Sequence, residues 1–467
     1  MVATDILFLS VRELGQRIKS RQLSPVELTE AYLERGRTLG TRLNAYATLT
    51  PDLALQQARA AEAEIKAGKY RGSLHGIPYA AKDLLAVKGY PTSWGARPYA
   101  NQRFDQDATV IKKLEQAGAI LLGKAAMIEL AGGMGYRFAS ASISGAAKNP
   151  WNEGCWTCGS SSGSGAIVSA GLAAFAIGTE TWGSIVCPSS FNGISGLRPT
   201  YGRVSRHGAM ALAYSMDKIG PMARAADDCG LILAAIAGHD DGDRASLPPE
   251  QAAFQSSGGY DKTLTLRIGW IDQKMLVPGG NAVMKDAVAV VKKTANVTDA
   301  KLPDGPWEAA AGIVVSVEGA AAFDSLIESG KVADLVDPSG KIGGYVNQAI
   351  PSGDFLRTQR LRGVLQKKMA ELFSNYDLIA SATLPVTASK LEENLEEGLN
   401  FPDPIGGIGN FLGLPAISIP CGFAENKMPL GLQFVAAPLN EHVVLHAATT
   451  FQAQTDWHKR RPPAFSS

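Results

Sequence analysis

A single layered α/β domain is the fold class this sequence predicts, and three observations predict it. Strand-like apolar runs alternate with helix-like runs along the whole chain. No stretch rich in Pro, Ser or charge divides the 467 residues, although ~150 residues per domain would allow about three domains. Apolar residues make up 45% and charged residues 19%, a balance that buries a large core.

The elements follow in order. Ser10-Val11-Arg12-Glu13 and Ser24-Pro25-Val26-Glu27 have the Ser-x-x-Glu pattern of a capping box, so each starts a helix. The second adds Pro at the first helical position and continues through Leu28, Ala31, Tyr32 and Leu33. A polar, Ala-rich helix is predicted over 53–66, a short strand over 77–81, and a helix over 107–116 that stops at Ala117-Gly118. Residues 119–122 read as a buried strand, and 166–174 as a close-packing helix of small residues. A strand at 266–270, a long amphipathic helix at 355–373, a strand at 378–380, and paired strands at 415–420 and 430–435 complete the pattern. The stretches 246–263 and 304–354 show the weakest organisation, and no repeat of fixed period occurs.

Composition narrows the function. Forty-five Lys+Arg against 44 Asp+Glu leave a formal net charge of +1, without the basic excess of a nucleic-acid binder or the high net charge of a disordered chain. Fifty Gly, about 11% against the usual ~7%, cluster in particular segments and read as tight turns and close backbone approaches. Five Cys without regular spacing predict no disulfide framework and a reducing compartment. Residues 1–13 lack the basic region and cleavage site of a secretory signal. The longest strongly apolar stretch, 165–178, falls short of the ~20 residues a bilayer span needs. A soluble, cytoplasmic protein is expected.

The chemistry concentrates in two Gly/Ser-rich turns, Gly159-Ser160-Ser161-Ser162-Gly163-Ser164-Gly165 and Gly178-Thr179-Glu180-Thr181-Trp182-Gly183-Ser184-Ile185, which bracket an apolar helix. Such turns can aim successive backbone N–H groups at one point, as an anion site or oxyanion hole does. They can also be plain connections. A phosphate loop fails for want of a closing Gly-Lys-Ser/Thr. Gly159 to Gly163 matches the G-x-S-x-G elbow around Ser161, but that motif needs a preceding strand, and residues 149–154 read as turn. A serine site built from both turns needs a base. None of the six histidines sits in a base context, whereas Lys82, at the end of an apolar strand, would become a base if burial lowered its pKa; a lone lysine is otherwise a solvated charge. Cys155 and Cys158 form a C-x-x-C pair without a second pair to complete a zinc site, and are expected to be ordinary thiols.

Lys82, the 159–165 run and Gly178-Thr-Glu-Thr-Trp-Gly-Ser-Ile together resemble the amidase signature family. The resemblance continues through Asp107-Ala-Thr-Val, Gly118-Ala-Ile-Leu-Leu-Gly-Lys124, the run from Gly193 to Arg206, Asp217-Lys-Ile-Gly-Pro-Met-Ala-Arg and Gly413-Leu-Pro-Ala-Ile-Ser-Ile-Pro-Cys-Gly. It implies an α/β/α domain with a large mixed central sheet, a catalytic core region at about 76–235 and a variable pocket region at about 300–410. It implies a Ser–cis-Ser–Lys triad in which Ser184 is the nucleophile, Ser160 the bridging serine on a cis peptide, and Lys82 the base. Thr181, Trp182, Gly183 and Ser184 would form the oxyanion hole, and Ser161 and Thr179 would support the lysine. No metal and no organic cofactor is implied. Ala131, Gly132, Gly133 and Met134 would line the substrate pocket. That loop, like 305–307 and 405–409, carries no charge, so a neutral amide with hydrophobic or aryl parts is expected. The chain also resembles the carbamate-cleaving (urethanase) members, whose acyl-enzyme chemistry extends to carbamates and esters.

Departures from the family pattern fall in three places. Cys158 and Ser162 stand where glycines are common, Val186 where Arg is frequent, and Glu180 and Trp182 where Asp and Gly are frequent. An ion pair beneath the oxyanion turn is therefore expected to be missing or rebuilt. The expected partners are a small-molecule amide or carbamate, with no nucleic acid and no membrane, in a monomer or homodimer. The alternatives are the partner-dependent amidase component of a tRNA-dependent amidotransferase and a non-catalytic family member.

Overall fold

In the computed structural model, which describes residues 2–256 and 265–466, the strands are β1 (Tyr46–Leu49), β2 (Pro78–Lys82), β3 (Ile120–Ala125), β4 (Lys148–Asn149), β5 (Asn152–Trp156), β6 (Phe175–Glu180), β7 (Ser195–Arg198), β8 (Lys218–Ala223), β9 (Leu266–Trp270), β10 (Ala295–Asp299), β11 (Leu378–Ala382), β12 (Ala416–Phe423) and β13 (Pro429–Ala436). Eleven of these form one mixed sheet in the order β1-β3-β2-β6-β8-β7-β12-β13-β11-β9-β10, and β4 and β5 form a separate hairpin. The β3-β2-β6 and β11-β9-β10 neighbours run parallel, and the remaining pairs run antiparallel.

β2, β3, β6, β7 and β8 are buried at every position, which requires cover on both faces of the sheet. The helices Ser162–Ser169 and Ala226–Ile236 pack directly on these strands. At the N-terminus, Ser10 and Glu13 form the complete capping box. Ser24 caps its helix by accepting from the N–H groups of Val26 and Glu27, but its hydroxyl donates to Glu62 at 2.5 Å, so this is a cap without the reciprocal half.

Several sequence expectations shift. The helix expected at 166–174 occupies Ser162–Ser169 and ends at Gly171, whose φ of +63° is the left-handed conformation that closes helices. The apolar run after it becomes β6. The poorly organised stretch 304–354 is largely helical: Trp307–Ala322, Asp324–Glu328 and Pro338–Gln348. The first of these is rich in Ala, Gly and Val and packs against four other helices, so no apolar stripe marks it. Of the stretch 246–263, Pro249–Ala252 is a helical turn, and 257–263 lies outside the described residues. A strand, β5, does lie shortly before Gly159, where the sequence reads as turn.

The cysteine expectation is overturned for Cys158 and holds for Cys155. Cys158 and Cys187 form a disulfide, with Cα atoms 6.0 Å apart, while Cys155, Cys229 and Cys421 are buried free thiols. Spacing carries no sign of it, because the two residues meet only when the two Gly/Ser turns are folded against each other. Among the described residues no helix is long and apolar enough to cross a membrane.

Candidate active site

Strand register builds the centre of the site. β2 and β6 run parallel with Ala81 opposite Ile177, so Lys82, the last residue of β2, comes level with Gly178 and beside Thr179. The Lys82 side chain is fully buried there. Its Nζ is 2.6 Å from Ser160 Oγ, 3.0 Å from Thr179 Oγ1 and 3.3 Å from the Thr179 carbonyl. Burial pushes the amine down to about 7, against the opposing pull of Asp217 and Glu180.

Ser160 follows a cis peptide bond after Gly159. Its Oγ lies 3.0 Å from Ser184 Oγ, so the three side chains expected to act together form one continuous file, Lys82–Ser160–Ser184. Ser161 is fully buried and exchanges hydrogen bonds with the backbone N–H and carbonyl of Thr179. The elbow reading thus meets its obstacle in the burial of Ser161, not in the absence of a strand.

Ser184 sits in the turn between β6 and the helix Val186–Asn192. Gly183 has φ +79°, a left-handed conformation that suits glycine. Among the described residues the backbone N–H groups of Trp182, Gly183 and Ser184 donate to no protein acceptor. The next two donors are taken: Glu180 Oε2 accepts from Ile185 N at 2.9 Å and Val186 N at 3.0 Å. Glu180 Oε1 pairs with Arg198 Nη1 at 2.7 Å, both side chains fully buried. Burial would raise the Glu180 carboxyl, but Arg198, Lys218 and these hydrogen bonds hold it down to about 2. The ion pair beneath the turn is therefore rebuilt, with Arg198 at the end of β7 as the cation.

Two further contacts fix the turn. Thr181 Oγ1 donates to Asp217 at 2.5 Å, and Asp217 also accepts from the N–H groups of Leu212 and Ala213. The Trp182 indole N–H donates to Asp403 Oδ2 at 2.9 Å, and Asp403 caps the helix Pro404–Phe411. Burial raises the Asp403 carboxyl to about 6, against the lowering effect of the Trp182 bond. Sequence reasoning misses Arg198, Asp217 and Asp403 as supports. The first two lie inside longer motifs that do not single them out, and the third sits just before a loop notable only for its lack of charge.

The pocket loop divides. Ala131 lines a cavity of about 140 Å³ that also touches Thr179, Thr181 and Asp217, but whose walls do not include Ser184. Gly132 is partly exposed. Gly133 and Met134 are buried: a Cβ on Gly133 would strike Leu212 and Phe323, and the helix Pro338–Gln348 rests on Met134 through Gly343 and Gly344. Among the described residues no cluster of three or more His, Cys, Asp or Glu could hold a metal.

The family model described as Amidase matches residues 27–445. A glutamyl-tRNA(Gln) amidotransferase subunit from Acinetobacter baumannii (strain AYE) is 36% identical over 98% of both chains. Another of the same name, from Coxiella burnetii (strain Dugway 5J108-111), is 34% identical over 97% of this chain and 99% of its own. Among solved structures, the native peptide amidase from Stenotrophomonas maltophilia superposes with a TM-score of 0.84 at 30% identity, covering 98% of this chain and 99% of its own. The expected partner set, a small molecule without nucleic acid in a monomer or homodimer, is overturned by the first two, which are named as one subunit of an enzyme of tRNA. Charge balance misses this because it detects only a strong basic excess.

Proposed function

The chain belongs to the amidase family, and from that premise we propose that it cleaves the C–N bond of a neutral amide through an acyl-enzyme on Ser184. One observation carries the reading: the file Lys82–Ser160–Ser184, with steps of 2.6 and 3.0 Å, ends beside three undonated backbone N–H groups. The neutral Lys82 amine accepts the Ser160 proton as Ser160 accepts that of Ser184. Ser184 Oγ attacks the carbonyl carbon, and the N–H groups of Trp182, Gly183 and Ser184 hold the oxyanion. Loss of one such donor typically costs about 3–4 kcal/mol. The Lys82 ammonium then returns a proton through Ser160 to the leaving nitrogen. Water enters by the same route and releases the acid.

The turn lies between two apolar clusters, which supports a hydrophobic or aryl substrate. Trp182 packs against the apolar cluster that includes Trp307, Ile405 and Ile408, and Cys187 belongs to another that includes Trp156, Phe191 and Leu384. Carbamates and esters fit the same chemistry, since the acyl-enzyme forms whichever heteroatom leaves.

A second reading is favoured by the relatives: the same site serves as the amidase component of a tRNA-dependent amidotransferase, working with partner chains. Intact-protein mass spectrometry after treatment with a phenylphosphonate tests the chemistry common to both. One adduct, lost in Ser184→Ala and kept in Ser161→Ala, is expected; an adduct lost only in Ser161→Ala would refute the nucleophile assignment. An amide, carbamate and ester panel run on the purified chain then separates the readings. Ser184-dependent turnover by the chain alone favours the first. Labelling without turnover, relieved by added partner chains and glutamine, favours the second.

A further inference from the structure

The disulfide joins the two turns that carry the two serines of the catalytic file. Cys158 lies two residues before Ser160, at a left-handed φ of +61°. Cys187 lies three residues after Ser184, in the first turn of the helix Val186–Asn192, where its N–H donates to the Gly183 carbonyl at 2.8 Å. The bond therefore closes a 29-residue loop whose ends are the supports of the two catalytic serines. The serines themselves are linked through the 3.0 Å contact of their hydroxyls, a geometry that proton transfer needs and that a small relative slip of the two turns would break.

Resting on the acyl-enzyme reading, we propose that the Cys158–Cys187 disulfide is the positioning element that holds Ser160 in register with Ser184, so that turnover belongs to the oxidised chain and is lost on reduction by a dithiol. The step balances: one dithiol thiolate attacks a cystine sulfur, the second displaces it, and the products are two cysteine thiols and a cyclic disulfide. Both half-cystines are buried, Cys158 at 3% and Cys187 at 7% exposure, so reduction is followed by thiol count until it is complete. Cys155 lies in the same apolar cluster as both half-cystines, but burial raises its thiol pKa and leaves it a poor nucleophile for exchange.

The test measures the rate of Ser184 labelling by a phenylphosphonate on the full chain, with alkylatable thiols counted by mass. The oxidised chain is expected to show three thiols and fast labelling, and the dithiothreitol-treated chain five thiols and labelling at least tenfold slower. Reoxidation with oxidised glutathione should restore the rate, with a melting temperature above the assay temperature throughout. With a reactive aryl amide, the loss should fall on kcat and leave KM. Five thiols with an unchanged labelling rate would overturn the proposal. Absence of labelling in the oxidised chain would instead sink the catalytic reading on which it rests. Cys158→Ala/Cys187→Ala decides the case where reduction is incomplete: slow labelling indifferent to dithiothreitol supports the proposal, and labelling as fast as the oxidised wild type refutes it. If that variant does not fold, Cys187→Ser with Cys158→Gly, which suits the left-handed position, takes its place. Cys155→Ala should keep the full response to reduction.

Discussion

Lys82 Nζ and Ser160 Oγ stand 2.6 Å apart inside a fully buried site, with Thr179 as the other partner of the amine. The amine at about 7 is poised to act as a base near neutral pH. The rate, as kcat/KM, should therefore rise with unit slope as pH increases toward about 7 and level off above it. Lys82→Ala should lose several orders of magnitude and flatten that rise. A profile that keeps its slope in Lys82→Ala would assign the titration to another group.

The same burial makes Lys82 a cost to the fold. Its folded pKa lies below the unfolded value of 10.5, so unfolding takes up a proton between about pH 7 and 10 and stability rises with pH across that window. At neutral pH and below the penalty is on the order of 4–5 kcal/mol. Lys82→Met should be inactive and yet melt a few degrees higher than wild type at pH 7, with the gap closing toward pH 10. A lower melting temperature at every pH would count against this account.

Glu180 is a joint between fold and chemistry. Its folded pKa of about 2 lies below the ordinary 4.5, so its contribution is fully present above pH 4.5 and is lost as pH falls toward 2. Glu180→Gln leaves Arg198 buried without its counter-charge, which costs about 3–5 kcal/mol. The variant should also lose activity by more than tenfold, because the Ile185 and Val186 N–H groups lose a charged acceptor. Chemical denaturation and single-turnover kinetics would check the two losses separately.

The Trp182 side chain leaves the oxyanion turn to bond Asp403 and pack against Gly407. Trp182→Gly should slow Ser184 labelling by a small phosphonate, because the turn loses its tie to Asp403. It should shift the ratio of kcat/KM for bulky against small acyl groups by tenfold or more. An unchanged ratio would place the acyl group elsewhere in the cleft.

How far the sequence can be read depends on whether an interaction is local. The file of Lys82, Ser160 and Ser184 is legible only through the family resemblance: composition marks the two Gly/Ser turns, but it singles out neither serine and leaves Lys82 one candidate base among the lysines. The Glu180–Arg198 pair is foreseeable only as something missing or rebuilt, since its partners lie on β6 and β7 with β8 between them. The Cys158–Cys187 bond is not legible at all, because no spacing rule links two cysteines 29 residues apart in turns that meet only in the folded chain. The helix Trp307–Ala322 escapes for the opposite reason: it is apolar on too many sides to show a period.

The order of strands has a consequence for how the chain could be divided. Six adjacent strands, β1 to β7 across the sheet, come from residues 46–223, and the other five come from residues 266–436. The two blocks are contiguous in sequence and meet at one antiparallel seam, where Ala416 faces Arg198. All three side chains of the catalytic file belong to the first block, while Asp403 and the Trp182-facing wall come from the second. A break between Ile236 and Leu266 would therefore yield two fragments that share this strand seam and the helix packing across it, the first carrying the reactive groups and the second the Asp403 side of the site. Co-expressed as separate polypeptides, they would form a complementation pair whose second member could be exchanged to change selectivity, with recovered Ser184 labelling as the readout of reassembly.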